Sequence, residues 1–429
     1  MTIEEVLREA SALVTPGPEL AKEAREISTR FTEYVESLLL RLGIEGEVKP
    51  LGSSARDTWL PESADVDIFI ILPRRYERGL IDALVEKIKA EMLRDGIVAE
   101  TRYAEHPYVV VREGRWEVDV VPCFQISPGE RPLTAADRSP LHHAYLSARL
   151  DERLRLEVRL LKRFLKTIGV YGAEVKVEGF SGYLAELLTV HFGSFISVLK
   201  NAATWRPYRT VIDPAGHYGD PRELRRKFKS PLVVVDPVDP NRNVAAAVSL
   251  TSFSTFVLAA RRFLKSPSLS YFVPRRSDSY VPVPALVIRF EYPHKSPDVV
   301  WGMFKRYARA LANKLEECGF KVMRVGVDSD ERTYVDVALL LESLRLPEFE
   351  LHRGPPAYSE SADKFVEKYL GQDVVGPFVE GTRVYVIRRR KVQDAEMCIK
   401  KALKELGLSP TEIKLGVYPP LSGGNPWIT

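Results

Sequence analysis

Two stretches carry the chemistry that this sequence states most openly: Leu51-Gly52-Ser53-Ser54-Ala55-Arg56, and then Asp65-Val66-Asp67-Ile68. In an extended chain, residues two apart project from one face. Asp65 and Asp67 therefore point the same way, at the start of a run whose other members are apolar. Two carboxylates held side by side repel each other, and burial adds to the cost unless a cation lies between them. Mg²⁺, a hard ion that takes oxygen ligands, is the natural partner. A third carboxylate, Asp119, lies in Glu117-Val118-Asp119-Val120-Val121, a second apolar strand able to pair alongside. Three carboxylates on neighbouring strands can hold two metal ions about 3.5–4 Å apart, the arrangement used for in-line phosphoryl transfer. Singly, each aspartate has a plainer reading as an exposed strand end or a helix cap. The combination points to a site.

Gly52 and Ser53 precede a helical turn, so backbone N–H groups and the Ser53 hydroxyl can face a triphosphate. Gly52 permits close approach of the backbone, and Arg56, one turn along, adds positive charge. Eleven residues separate Ser53 from Asp65, which keeps the turn and the carboxylates within one motif.

Folded elements must position these groups, and the hydrophobic pattern supplies them. Apolar residues at helical spacing predict two helices within 3–42, broken at Pro16-Gly17-Pro18. Residues 48–52 form a short strand, 53–60 a helical turn ended by Pro61, 66–72 a buried strand and 79–93 an amphipathic helix. Residues 108–112 and 116–121 form a hairpin turning at Glu113-Gly114. A mixed α/β head thus spans 1–140. Residues 141–265 form a helical neck, with its strongest helices over 154–168, 182–199 and 249–264. The Pro-rich stretch 266–284 is a linker. Beyond it come a strand at 285–290, a helix at 299–318, strands at 321–327 and 333–341, a less regular segment, a strand at 384–388 and a helix at 395–406. That order resembles a ferredoxin-like unit with an insertion. The expected body spans 266–345 and 380–429, with 346–379 as a tail or insertion. The fold class is therefore α+β and multidomain: a mixed α/β head, a helical neck, and a ferredoxin-like α+β body with a tail.

Gly-Ser, an intervening segment, Asp-apolar-Asp and a later apolar-Asp-apolar form the signature of the DNA polymerase β-like nucleotidyltransferases. Further segments narrow the likeness: Arg102-Tyr103-Ala104-Glu105-His106-Pro107-Tyr108, Val118-Asp119-Val120-Val121-Pro122-Cys123, Asp137-Arg138-Ser139-Pro140-Leu141-His142-His143, Tyr171-Gly172-Ala173-Glu174, Gly179-Phe180-Ser181-Gly182-Tyr183 and Val235-Asp236-Pro237-Val238-Asp239. Together these resemble the archaeal, class I CCA-adding enzymes, specifically over about residues 50–275 and only in layout beyond 285.

The resemblance implies template-independent addition of C, C and A to the 3′ end of tRNA, from CTP and ATP, by two-metal nucleotidyl transfer with two Mg²⁺ ions. It makes Asp65, Asp67 and Asp119 the catalytic and metal-binding carboxylates. Relatives often carry Glu at the first position, so Asp65 departs by one methylene and keeps the charge. It places triphosphate ligands on Ser53, Arg56, His142, Lys162 and Tyr171, and the incoming base on Arg242, whose planar fork suits ring acceptors. Plainer readings stay open. His142-His143 can be a helix-start pair, Lys162 part of a solvated basic helix face, Tyr171 a packing residue, and Arg242 an ion-pair partner of Asp236 or Asp239. The implied partner is tRNA, its acceptor arm and 3′ end held by body and tail through shape and backbone. A homodimer is compatible with this. The alternatives are an ATP-only poly(A) polymerase or oligoadenylate synthetase, and a non-catalytic RNA-binding protein, whose expected mark is loss of a metal carboxylate.

Composition sets the outer limits. The 429 residues suit about three domains. With 45% apolar and 28% charged residues, the chain is not disordered, collagen-like or disulfide-stapled. Its three cysteines, Cys123, Cys318 and Cys398, form no CxxC pair, which argues against a zinc site of the usual spacing and for a reducing compartment. No run of about 18 apolar residues is free of charge; the best, 182–199, is interrupted by Glu186 and His191. The acidic, helical start is unlike a signal peptide. The expectation is a cytoplasmic protein without a membrane span. Residues 1–140 carry 18 Lys+Arg against 26 Asp+Glu, a balance of −8, and the remainder 44 against 32, or +12. A front that holds cations and a back that meets a polyanion fit that split. The basic stretches 222–229 and Arg388-Arg389-Arg390-Lys391 are candidates for tRNA phosphates, or else solvated surface.

Overall fold

The computed structural model describes residues 1–63, 65–103, 106–273, 283–293 and 295–418. The chain divides near residue 276 into two units.

In the first unit, α1 (Ile3–Val14) begins at Thr2, whose hydroxyl accepts from the Glu5 N–H while the Glu5 carboxylate accepts from the Thr2 N–H. α2 (Pro18–Leu42) starts with proline and stops at Gly43. There follow β1 (Glu47–Leu51), α3 (Gly52–Ala55), β2 (Asp65–Leu72), α4 (Leu80–Arg94), β3 (Ala99–Tyr103), β4 (Pro107–Glu113) and β5 (Trp116–Phe124). The strands form a sheet in the order β1-β2-β5-β4-β3; β2 and β5 run parallel and the other neighbours antiparallel. Alternation divides β2. Val66, Ile68, Ile70 and Leu72 pack beneath α2 and α4, whereas Phe69 and Ile71 join Leu51 and Cys123 on the opposite face. Asp65 and Asp67 share that opposite face.

The helical part comprises α5 (Ser139–Ser147), α6 (Glu152–Thr167), α7 (Gly182–Phe192), α8 (Phe195–Ala202), β6 (Val211–Ile212), α9 (Pro221–Phe228), β7 (Val233–Asp236), β8 (Asp239–Asn243) and α10 (Leu250–Lys265). Its core centres on Phe164, which is packed by Phe195, Phe256, Phe263, Tyr271 and Phe272 at ring-centroid distances of 5.3–6.3 Å. Tyr271 and Phe272 are buried there, so 266–273 belongs to this core and is not a linker. Of the rest of the expected linker, 274–282 lies outside the described residues and 283–284 begin a strand. α1 was expected with the head, but Val6, Ala10 and Val14 bury themselves in the helical core. The single helix expected over 182–199 is two, meeting at 94°. Gly193, at φ 82°, ends α7, and the Ser194 hydroxyl caps α8 by accepting from the Ser197 N–H. Among the described residues, no single helix is long and apolar enough to cross a membrane. The short strands β6, β7 and β8 form a small sheet absent from the sequence reading.

In the second unit come β9 (Val283–Glu291), α11 (Pro297–Glu317), β10 (Val322–Ser329), β11 (Tyr334–Leu341), β12 (Phe349–Pro356), α12 (Ser361–Tyr369), β13 (Val374–Glu380), β14 (Arg383–Arg389), α13 (Ala395–Glu405) and β15 (Glu412–Tyr418). An antiparallel sheet in the order β10-β11-β9-β15, with α11 and α13 in the core beside it, gives the ferredoxin-like pattern. Its fourth strand is β15, not the expected 384–388. That segment, β14, is the centre of a separate sheet, β12-β14-β13, which packs against α12. The insertion is thus a folded α/β unit of its own.

Two further expectations change here. Cys318, just after α11, and Cys398 in α13 form a disulfide, so the case for a reducing compartment made from cysteine spacing no longer stands. Cys123 is free and buried. The basic run at the end of β14 is largely paired. Arg388 donates to Glu350 at 2.8 Å, Arg390 to the other Glu350 oxygen at 2.9 Å, and Arg389 to Glu348. Three of its four basic residues are therefore bonded to glutamates, Arg388 and Arg390 sharing one.

Candidate active site

The β1–α3 turn brings the backbone directly against β2. Gly52 has φ +70°, and a Cβ there would lie 1.8 Å from Asp67 Oδ2, so only glycine fits. α3 lasts one turn rather than running to residue 60. It is too short for a developed helix dipole, so charge at the turn must come from side chains. Ser53 is half-buried at its start, and its carbonyl accepts from the Thr58 N–H at 3.0 Å.

Asp67 and Asp119 are direct partners in the parallel β2–β5 register, and Asp65 is paired likewise with Glu117. Glu117 is neutralised by Arg102, at 2.8 Å for one of the two bonds. Among the described residues, Asp67 and Asp119 lack such a partner. Burial, then the Asp65 charge, pushes Asp67 up to about 6. Burial, then the Asp67 charge, pushes Asp119 up to about 7. Asp65 is raised by burial and by Glu117. Asp119 Oδ1 is buried, with no hydrogen-bond partner among the described residues. Among the described residues, no three acidic, imidazole or thiol groups already close around one point. Even so, an orphaned buried oxygen between mutually repelling carboxylates is the donor chemistry that a divalent oxygen-seeking cation satisfies.

Behind the turn lies a buried ionic cluster that nothing local in the sequence marks. Glu186, on α7, is wholly buried. One of its oxygens accepts from Arg56 Nη2 at 2.7 Å and Nε at 3.0 Å; the other accepts from Lys162 Nζ at 2.8 Å and Thr58 Oγ1 at 2.5 Å. Lys162 also donates to the Thr58 carbonyl at 3.0 Å. Burial alone would raise the Glu186 carboxyl, but Lys162 and Arg56 hold it down at about 2. Two cations share one anion, which leaves the cluster with a net positive charge. Lys162 is thus a buried network residue, not part of a solvated helix face. Tyr171 completes the group. A Cβ on Gly182 would meet its hydroxyl at 3.0 Å and Lys162 Nζ at 3.8 Å. Burial keeps that hydroxyl protonated, with Glu186 and Asp65 adding to the effect.

His142 and Arg242 meet elsewhere, around Asp236 at the end of β7. His142 Nε2 donates to Asp236 Oδ2 at 2.8 Å and its ring stacks on Tyr183 at 4.0 Å. Arg242 Nη1 donates to the same oxygen at 2.7 Å, while Arg138 takes Asp239 at 2.8 Å. Burial opposes ionisation of Asp236, but His142 and Arg242 hold it at about 2. The ion-pair reading of Arg242 therefore holds for this state of the protein, with its side chain still 37% exposed. His143, next to His142 on α5, places Nδ1 3.5 Å from Arg56 Nη1 and so links the two clusters.

The nucleotidyltransferase domain family matches residues 30–142, the second domain of tRNA nucleotidyltransferases 156–273, and the C-terminal domain of the CCA-adding enzyme 284–410. The CCA-adding enzyme of Pyrobaculum neutrophilum is 55% identical over 401 residues, 94% of each chain, and that of Pyrobaculum islandicum 51% identical over all of both. The Saccharolobus shibatae enzyme is 37% identical over 94% of this chain and 92% of its own. Among solved structures, a cytoplasmic RNA terminal U-transferase superposes with a TM-score of 0.50 at 15% identity, covering 63% of this chain and 98% of that one, and so shares the fold. On the strength of the sequence relatives, which match from head to C-terminal unit, the chain belongs to the CCA-adding enzymes.

Proposed function

We propose that the chain extends tRNA lacking its 3′ end by C, C and A, taking CTP and ATP, with Asp65, Asp67 and Asp119 as the reaction centre. The observation that carries this reading is the in-register pair Asp67–Asp119, pressed against a glycine turn and backed by a buried positive cluster. The three carboxylates are the residues that would hold two Mg²⁺ ions, which when bound offset triphosphate charge and favour ionisation of the attacking 3′-hydroxyl. The protein's own part is positioning and electrostatics. Ser53 and Arg56 present the turn to the triphosphate. Lys162, held by Glu186, keeps positive charge behind it, and the neutral Tyr171 hydroxyl lies alongside. His142 donates to Asp236 and so orients the carboxylate that holds Arg242.

In this reading, Arg242 discriminates the bases. Its free donors suit O2 and N3 of cytosine or N1 of adenine, whereas uracil N3–H and guanine N1–H would oppose donor to donor. A buried mispairing of this kind costs about 1–3 kcal/mol per unsatisfied group. The decisive experiment incubates purified protein with Mg²⁺, CTP, ATP and tRNA ending at the nucleotide before CCA, and then sequences the products. Addition of CCA is the expected result. Tails of A alone would instead make the chain an ATP-only polymerase of the same superfamily.

A further inference from the structure

The small sheet β6-β7-β8 has two faces with different company. Val234 and Asp236 look toward the helical core and the Arg242 cluster, whereas Val233 and Val235 pack with Leu224 of α9. Asn241, adjacent to Arg242 and so on the opposite face of β8, accepts from Lys227 of α9 at 2.7 Å. The basic helix is thereby pinned to the back of the strand that carries Arg242.

On the outer side of α9 is a concavity of about 790 Å³, lined by Tyr208, Arg209, Asp220, Arg222, Arg225 and Arg226. Its charge is not balanced from within. Arg222 pairs with Asp220 at 3.1 Å, and among the described residues Arg225 reaches only the Arg209 carbonyl, at 3.5 Å. Arg209 and Arg226 have no acidic partner among the described residues. The run at 388–390 is the contrast, since each of its arginines is bonded to a glutamate, Glu350 serving both Arg388 and Arg390. Tyr208 adds a second feature. It holds φ +61°, unusual for an aromatic residue, with its N–H donating to the Pro231 carbonyl at 2.9 Å and the residue 53% exposed. An aromatic face beside unpaired guanidiniums suits a sugar–phosphate chain, which offers phosphate oxygens to arginine and a ribose or base to the ring.

We infer that this concavity is a docking site for the RNA sugar–phosphate backbone, in which Arg209, Arg225 and Arg226 hold phosphates and Tyr208 packs on the adjoining nucleoside. The inference rests on tRNA being the substrate, as proposed above. Because α9 and Arg242 sit on opposite faces of one sheet, RNA is held behind the base-reading cluster and does not compete with the incoming nucleotide.

The test uses the full chain after wild-type CCA addition has been established, so that failure of the functional reading shows itself first. Arg209→Gln/Arg226→Gln should weaken binding of tRNA lacking CCA at least tenfold. It should also reduce the slope of log affinity against log salt by roughly 1.4–1.8, at 0.7–0.9 per phosphate, and leave KM for CTP and ATP unchanged. Tyr208→Asn, which tolerates the left-handed backbone, should weaken tRNA several-fold without changing the slope. Lys22→Gln/Arg25→Gln on α2 removes the same charge from another exposed surface and should change neither quantity. An equal slope change in that control would reduce the effect to bulk charge and overturn the site. So would an unchanged tRNA affinity in the Arg209/Arg226 variant. Loss of inorganic tripolyphosphate binding alone, with tRNA affinity intact, would make it a small-anion site and equally overturn the inference.

Discussion

At the scale of single residues, the carboxylates were legible because two constraints coincide: period-two projection and the cost of apolar surroundings to a charge. Asp119→Asn should abolish addition of both C and A, measured as incorporation from each triphosphate, because one centre serves both. A pH signature accompanies it. In metal-free protein, Asp119 titrates near 7 and the unfolded side chain near the ordinary 3.8. Between those values the folded state binds a proton that the unfolded state lacks, so this contribution to stability declines as pH rises from about 4 to 7. The melting temperature of the metal-free protein should fall across that window, less so in Asp119→Asn, and added Mg²⁺ should stabilise the wild type more at pH 8 than at pH 5. Glu186 was not legible, since its Arg56 partner lies 130 residues away. Removing one member of a buried ionic network costs roughly 3–5 kcal/mol. Glu186→Gln should therefore lower the unfolding midpoint and raise KM for CTP and ATP alike, about tenfold, with a smaller change in kcat. Equal KM values in a folded variant would remove Glu186 from the positioning of the turn. Arg242→Ala tests the base-reading proposal: relative incorporation of all four nucleotides should lose its bias against UTP and GTP. A uniform fall in all four would leave Arg242 only its structural bond to Asp236.

At the scale of elements, long amphipathic segments announced themselves, as α2, α4, α6, α10 and α11 show. The small sheet β6-β7-β8 did not, because strands of two to five residues are too short for a periodic signal. Nor did the 94° break between α7 and α8, where a continuous apolar run hides a glycine stop and a serine cap. The strand 384–388 was found but assigned to the wrong sheet, since a strand's pattern says that it is half-buried without naming its neighbour. The Cys318–Cys398 bond is the same lesson in covalent form, joining positions 80 residues apart that α11 and α13 bring together. A loop of that size contributes about 4–5 kcal/mol in the chain-entropy picture. Reduction, or Cys398→Ser, should lower the unfolding temperature of the second unit measurably in calorimetry. CCA addition at moderate temperature should survive.

At the scale of the whole molecule, the charge split read from sequence, −8 over residues 1–140 and +12 beyond, needs one refinement from the structure: which basic residues are already spent. Arg388→Gln/Arg389→Gln should leave the salt dependence of tRNA binding unchanged, because Glu350 and Glu348 neutralise both. A slope lowered by more than about 0.7 would show that the run meets phosphate after all. Fold class and family were within reach of the sequence, because the carboxylate motif and the order of helices and strands are local. The partition of charge into paired and unpaired groups was not, because it depends on register and on which strand lies beside which.

The placement of α1 has a consequence for how the chain is made. α1 precedes the head in sequence but buries Val6, Ala10 and Val14 in a core completed by Tyr271 and Phe272. During synthesis, the head's sheet can close once β5 has emerged, while α1 still has no surface to cover its apolar stripe. Its main partner, α6, follows within about 43 residues, but the core around it closes only at Phe272, nearly 150 residues after β5, or roughly seven to thirty seconds at ordinary elongation rates. Through that interval the nascent chain carries a finished domain and an amphipathic helix only partly covered, on the same tether. The last turn of the helical core to be translated completes the cover over the first helix.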